Sequence, residues 1–145
     1  MQRVNGPDQG HAWPSAPAPH ATPVLHWQLH DVAQLPAMRA EVRRSIEAAG
    51  IDADVLDQLI LALDEMASNA LRHGGGRVEA ALRLTSDSYL IEVSDSAASQ
   101  PPTPAIGRDP SEGGLGLYLI ARMARLHGWY ASGGAKHVWA LLPRS

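Results

Sequence analysis

The pattern of this sequence predicts an α+β fold: a two-layer α/β sandwich in which a mixed sheet is covered on one face by three helices. Two kinds of periodicity point to it. Apolar and polar residues alternate at the two-residue period of half-buried strands near residue 25, and again in two later pairs of segments, each pair joined by turn-forming residues. Apolar residues recur at helical spacing in three other segments, two before the first pair and one before the second. Strand, two helices, hairpin, loop, helix, hairpin leaves one sheet face for the helices to cover.

The first strand is predicted from Val24, where Leu25, Trp27 and Leu29 alternate with His26, Gln28 and His30. Before it, Asn5 to Pro23 is dominated by Pro, Ala, Gly and His, a composition that neither pairs regularly nor buries much area. Residues 1–23 are therefore predicted to be a disordered tail, followed by one domain over 24–145. His11, His20, His26 and His30 lack ligand spacing on a common face and read as solvated side chains. Leu35 to Gly50 is predicted as a helix, with Pro36 early, Met38, Val42 and Ile46 on one face, and Gly50 as the stop.

A second helix starts after Asp52 or Asp54 as cap. It places Val55, Leu56, Leu59, Ile60, Leu63, Met66, Ala67, Ala70 and Leu71 within an arc of about 160°, at about 100° per residue. Arg77 to Thr85 and Tyr89 to Asp95 form a hairpin around Ser86-Asp-Ser88, and Ala97 to Ser111 reads as an irregular loop. Gly113 to Gly128 is glycine at both ends and helical between, with Arg122 and Arg125 on the solvent side. A second hairpin closes the chain, Trp129 to Ala131 and Lys136 to Leu142 flanking Ser132-Gly-Gly-Ala135.

Composition narrows the function classes. The 145 residues fit one domain, and 45% apolar with 19% charged residues is ordinary for a globular protein without membrane spans. A net charge of -3 offers no basic field, so nucleic acid is not an expected partner. With no cysteine, a disulfide framework, a thiolate metal site and a cysteine nucleophile are excluded. The first residues do not read as a signal peptide, and the expected location is the cytoplasm.

Chemistry concentrates in three places. Glu65, Asn69 and His73 recur every fourth residue, forming one polar stripe on the long helix, expected opposite its apolar arc. His73-Gly-Gly-Gly76 follows, a loop permitting close backbone approach. Asp95 then continues the alternation of Tyr89, Ile91 and Val93, which points its carboxylate inward, where a donor such as an amino-bearing heterocycle could meet it. Gly113-Gly-Leu-Gly116 opens the third helix, where free N–H groups and the helix dipole favour phosphate. Each feature alone has an ordinary structural reading: a solvated helix face, a strand-end turn, a packing glycine.

Taken together and in this order, residues 24 to 143 resemble the GHKL ATPases, and most closely the stand-alone anti-sigma-type serine kinases with the Bergerat fold. Leu61-Ala-Leu-Asp-Glu-Met-Ala-Ser-Asn-Ala-Leu-Arg-His-Gly-Gly75 is similar to the family's N box, Val93-Ser-Asp-Ser-Ala97 to its adenine-side box, and Gly113-Gly-Leu-Gly-Leu-Tyr-Leu-Ile120 to its glycine box. Gly134-Ala-Lys-His-Val-Trp139 looks like the last hairpin of the short members. The resemblance implies ATP with Mg²⁺ as cofactors, Glu65 as catalytic base, Asn69 as metal ligand and Asp95 on adenine. It implies Gly113, Gly114, Leu115 and Gly116 beside the phosphates, Ala97 and His73 near the nucleotide, and Arg72 and Lys136 as weaker phosphate contacts.

Two departures stand out: Ala97 occupies a position commonly glycine, and His137 stands where many members carry a hydroxyl residue near the adenine-binding Asp. The implied activity is phosphorylation of a serine on a small STAS-type antagonist protein, with a sigma factor as second partner and a homodimer as the assembly. No dimerisation helix with a phosphoacceptor His is expected ahead of the domain, which separates it from sensor histidine kinases. The alternative is a non-catalytic module whose nucleotide shapes a protein-binding surface. An esterase is excluded because no Gly-x-Ser-x-Gly elbow accompanies the glycine loop, and neither a P-loop nor a kinase catalytic loop with Asp-Phe-Gly is present.

Overall fold

A computed structural model describes residues 13–74, 76–97 and 115–145, Leu115 by its backbone alone. The elements run β1 (Thr22–Leu29), a 3-10 turn (Val32–Gln34), α1 (Leu35–Glu47), α2 (Ala53–His73), β2 (Val78–Leu84), β3 (Ser88–Asp95), α3 (Leu115–Met123), β4 (Leu126–Ser132) and β5 (Ala135–Pro143). Local signals explain the helix starts. Asp31 and Gln34 close a capping box on the 3-10 turn, Pro36 stands in the first turn of α1, and Asp52 accepts from the Asp54 N–H to cap α2. Gly50, at φ 76, ends the α1 region in the left-handed conformation that favours glycine.

The sheet order is β1-β2-β3-β5-β4. Every pair in it is antiparallel, where a mixed sheet was expected. The reason lies in the connections. β3 and β4 run the same way because α3 joins them as a crossover, yet β5 inserts between them and separates the two parallel strands. One core lies between sheet and helices: Met38, Val42 and Ile46 of α1, Leu59, Leu63 and Met66 of α2 and Leu117 and Ile120 of α3 pack with Leu82, Ile91, Val93 and Ala140. Two-layer packing with helices on one face is therefore as expected.

Two expectations are corrected. The third helix was read through to Gly128, but α3 ends at Met123 and Arg125 N–H donates to the Leu141 carbonyl at 2.8 Å, so the chain joins the sheet earlier. Gly128 is a strand residue: a Cβ there would meet the Trp139 ring at 2.9 Å and the Pro14 carbonyl at 3.0 Å. Order also begins before Val24. Residues 1–12 of the expected tail lie outside the described residues, whereas Trp13 is buried and the following segment lies against the sheet. Trp129 N–H donates to the Pro14 carbonyl at 3.0 Å, Ala16 N–H donates to the Trp129 carbonyl at 2.9 Å, and Trp139 Nε1 donates to the Ala16 carbonyl at 2.9 Å. Ala16, Ala18 and Ala21 then cover Leu90, Trp139 and Leu141 on the sheet face away from the helices.

Candidate functional site

The polar stripe of α2 runs along the border of its buried face, not opposite it. Asn69 lines a narrow pocket together with Met66 and Ala70 of the same helix, Val93 and Asp95 of β3, Leu117 of α3, and Lys136 and Val138 of β5. One turn earlier, Glu65 lies against the start of α3: a Cβ on Gly116 would come within 2.5 Å of Glu65 Oε2. Gly116 thus lets the carboxylate approach the first turn of that helix. Arg72 and His73, further along α2, are exposed and do not line the pocket.

Asp95 is the last residue of β3 and is 3% exposed, as the alternation with Tyr89, Ile91 and Val93 predicts. Its Oδ1 accepts the Ala97 N–H at 2.7 Å, and Oδ2 lies 3.7 Å from Lys136 Nζ. The C-terminus of α2 closes over it, for a Cβ on Gly74 would lie 2.5 Å from Asp95 Oδ2. Among the described residues no non-glycine has a positive φ, so Ala97 needs no glycine backbone. Gly113 and Gly114 lie outside the described residues.

The strand register corrects the reading of β5. Asp95 pairs directly with Lys136, and Ser94 with His137, so the side chain beside Asp95 is Lys136. His137 belongs to the other face, where its Nδ1 is 2.9 Å from Glu92 Oε2 and its ring stacks on Tyr130 at 4.6 Å. Sequence reasoning missed this pairing because a one-residue slip in register exchanges the two faces of a strand.

Glu92 is the centre of that second cluster. Arg83 Nη1 donates to its Oε1 at 2.7 Å and the Tyr130 hydroxyl to its Oε2 at 2.5 Å. Burial pushes the Glu92 pKa up, but the hydrogen bonds from Tyr130 and Arg83 and the charges of Arg83 and His137 outweigh it and hold the carboxyl below its usual range. Burial and the bond to Glu92 push the Tyr130 hydroxyl up to about 12. This cluster was invisible to pattern reading, since Arg83, Glu92, Tyr130 and His137 come from four strands.

The pocket on the helix side combines apolar walls with an acceptor, a donor and an amide. That set suits a planar heterocycle with a hydrogen-bonding edge, and Asn69 with phosphate oxygens is a reasonable donor set for Mg²⁺, which takes few protein ligands. Free space between the lining side chains amounts to about that of one water, so entry of a base requires Lys136 or its apolar neighbours to move.

A family model described as the histidine kinase-like ATPase domain matches residues 29–141, well over half of the chain. The chain belongs to the histidine kinase-like ATPase family. Solved structures agree on the fold. A chain of the SiaB–SiaC complex from Pseudomonas aeruginosa matches with a TM-score of 0.61 at 14% identity, covering 84% of this chain and 92% of that one. The RsbU and RsbW domains of a Mycobacterium tuberculosis protein match with a TM-score of 0.55 at 17% identity, covering 83% of this chain and 33% of that one. A search of curated sequences finds no match. As a histidine kinase-like ATPase of RsbW-like fold, the chain carries the α2–β3–α3 arrangement to which the expected nucleotide residues were assigned. No helix among the described residues is long and apolar enough to cross a membrane.

Proposed function

We propose that this ATPase-family chain is a serine/threonine protein kinase that acts as an anti-sigma or partner-switching regulator, using Mg-ATP to phosphorylate a serine of a small STAS-type antagonist protein. The observation that carries the reading is the convergence on one side of α2: Glu65 against Gly116 at the start of α3, and Asn69 one turn on in the pocket with Asp95. Bound Mg-ATP supplies the γ-phosphoryl group. In this reading Asp95 accepts from the base, Asn69 holds the metal, and N–H groups near Gly114 and Gly116 face the phosphates. Glu65 accepts the proton of the incoming serine hydroxyl. That one similar structure belongs to a complex of two proteins, SiaB and SiaC, supports a protein partner here.

Glu65→Gln tests it. Base catalysis contributes about 10² to 10⁴ in rate, while Glu65 is not among the residues lining the pocket with Asp95, so ATP affinity should stay within about twofold and labelling of the partner serine from radiolabelled ATP should fall by about 10² or more. A wild type that binds ATP and partner yet transfers no phosphate would make the chain a nucleotide-dependent binding module instead.

A further inference from the structure

The position beside Asp95 carries an ammonium group, and its consequence is a matter of base specificity. We propose that Lys136 and Asp95 together read the base edge, and that the pocket therefore accepts 6-oxopurine nucleotides such as GTP as well as ATP. The inference rests on the nucleotide-site reading above and adds the class of base the site takes.

Lys136 and Asp95 are directly paired across β5 and β3, point to the same face, and are 8% and 3% exposed. Their charged atoms stand 3.7 Å apart, in a pocket whose other lining residues are Asn69 and the apolar Met66, Ala70, Val93, Leu117 and Val138. A lone carboxylate placed opposite position 6 of the base accepts from the exocyclic amine of adenine and repels the O6 carbonyl of a 6-oxopurine, so in that pose it favours adenine. Asp95 is not alone. Beside it is a flexible donor, and any heterocycle edge presenting a donor next to an acceptor is complementary to the pair.

Adenine presents its N6 amine to Asp95 and its N1 lone pair to Lys136. A 6-oxopurine presents N1–H to Asp95 and O6 to Lys136, so Asp95 still accepts and Lys136 still donates while positions 1 and 6 of the base change places between them. The four-carbon stem of lysine allows that adjustment, whereas a short hydroxyl side chain could not reach as far. Lys136 lines the pocket that a base would enter, and on entry its ammonium exchanges its contact with Asp95 for one shared with the base.

The test compares ATP, GTP and ITP binding to the full chain with Mg²⁺ by calorimetry, in the wild type and in Lys136→Thr, each checked by its melting curve. The expected result is wild-type GTP and ITP affinity within about tenfold of ATP, and a Lys136→Thr variant that weakens GTP and ITP at least about tenfold more than ATP. Wild type that binds ATP but holds GTP and ITP about a hundredfold or more weaker overturns the inference while leaving the ATP site intact. Equal weakening of all three nucleotides in the variant overturns it too. Should Lys136→Thr unfold, the wild-type comparison and Lys136→Met, which keeps the stem and removes the charge, decide the same question. Wild type that binds none of the three overturns the nucleotide-site reading itself.

Discussion

Glu92 is 6% exposed on the sheet face away from the helices and takes hydrogen bonds from Arg83, Tyr130 and His137, so its charge is kept by neighbours rather than by water. Because its folded pKa is below the unfolded one, the native state binds that proton less readily than the unfolded chain. The stabilisation is therefore present above the ordinary glutamate range and is lost as pH falls through the depressed folded value. Tyr130→Phe should remove one charged hydrogen bond, lowering stability at pH 7 by about 1 to 3 kcal/mol and moving the onset of acid unfolding upward. Urea titrations at neutral and acid pH check it; a variant as stable as wild type at both would detach Tyr130 from the network. In the wild type the Tyr130 contribution runs the other way, present below the ordinary tyrosine range and lost as pH rises towards about 12. On the helix side, Asp95→Asn should weaken ATP binding by about 1 to 3 kcal/mol, since an acceptor-only group becomes a mismatched amide. Calorimetry giving unchanged affinity would remove Asp95 from the base edge.

At the scale of elements, α2 was the most legible piece: its apolar stripe, its Asp52 cap and the glycines after His73 are local signals, and the helix runs Ala53–His73. The end of α3 was not legible. Nothing local to Arg125 separates continued helix from a strand; the choice is made by the Leu141 carbonyl of β5, whose position depends on the whole sheet. The N-terminal segment shows the same limit. Its Pro and Ala composition argues for disorder, but Pro14 and Ala16 find backbone partners on β4, one of the two edge strands of the sheet, and that docking covers an edge that would otherwise invite pairing with another chain. Gly128→Ala tests the docking, because the new methyl would meet the Trp139 ring and the Pro14 carbonyl together. A loss of about 1 to 3 kcal/mol is expected, with faster proteolytic clipping before residue 22. Unchanged clipping would show that the segment does not depend on this contact.

For the molecule as a whole, the candidate site residues were readable as types and spacings, whereas their relations were not. Glu65, Asn69 and Asp95 follow from helical and strand periodicity, but that Lys136 rather than His137 faces Asp95 depends on the β3–β5 register, which no short stretch of sequence encodes. The pocket draws on α2, β3, α3 and β5, so a nucleotide bound there ties together elements from the middle and the end of the chain. Anything bound only by the folded state stabilises it, by about 2.7 kcal/mol at a hundred times Kd, which for a domain of this size is a rise on the order of 10 °C in Tm. Asn69 is the one residue proposed to hold Mg²⁺, so the metal-dependent part of that rise should pass through its side-chain oxygen. Melting wild type with ATP should therefore give a larger shift with Mg²⁺ than with a chelator, while Asn69→Ala should give the same, smaller shift in both, its Asp95 contact being retained. An Asn69→Ala protein whose Tm still responds to Mg²⁺ as wild type does would return Asn69 to the wall of the pocket and require another ligand for the metal.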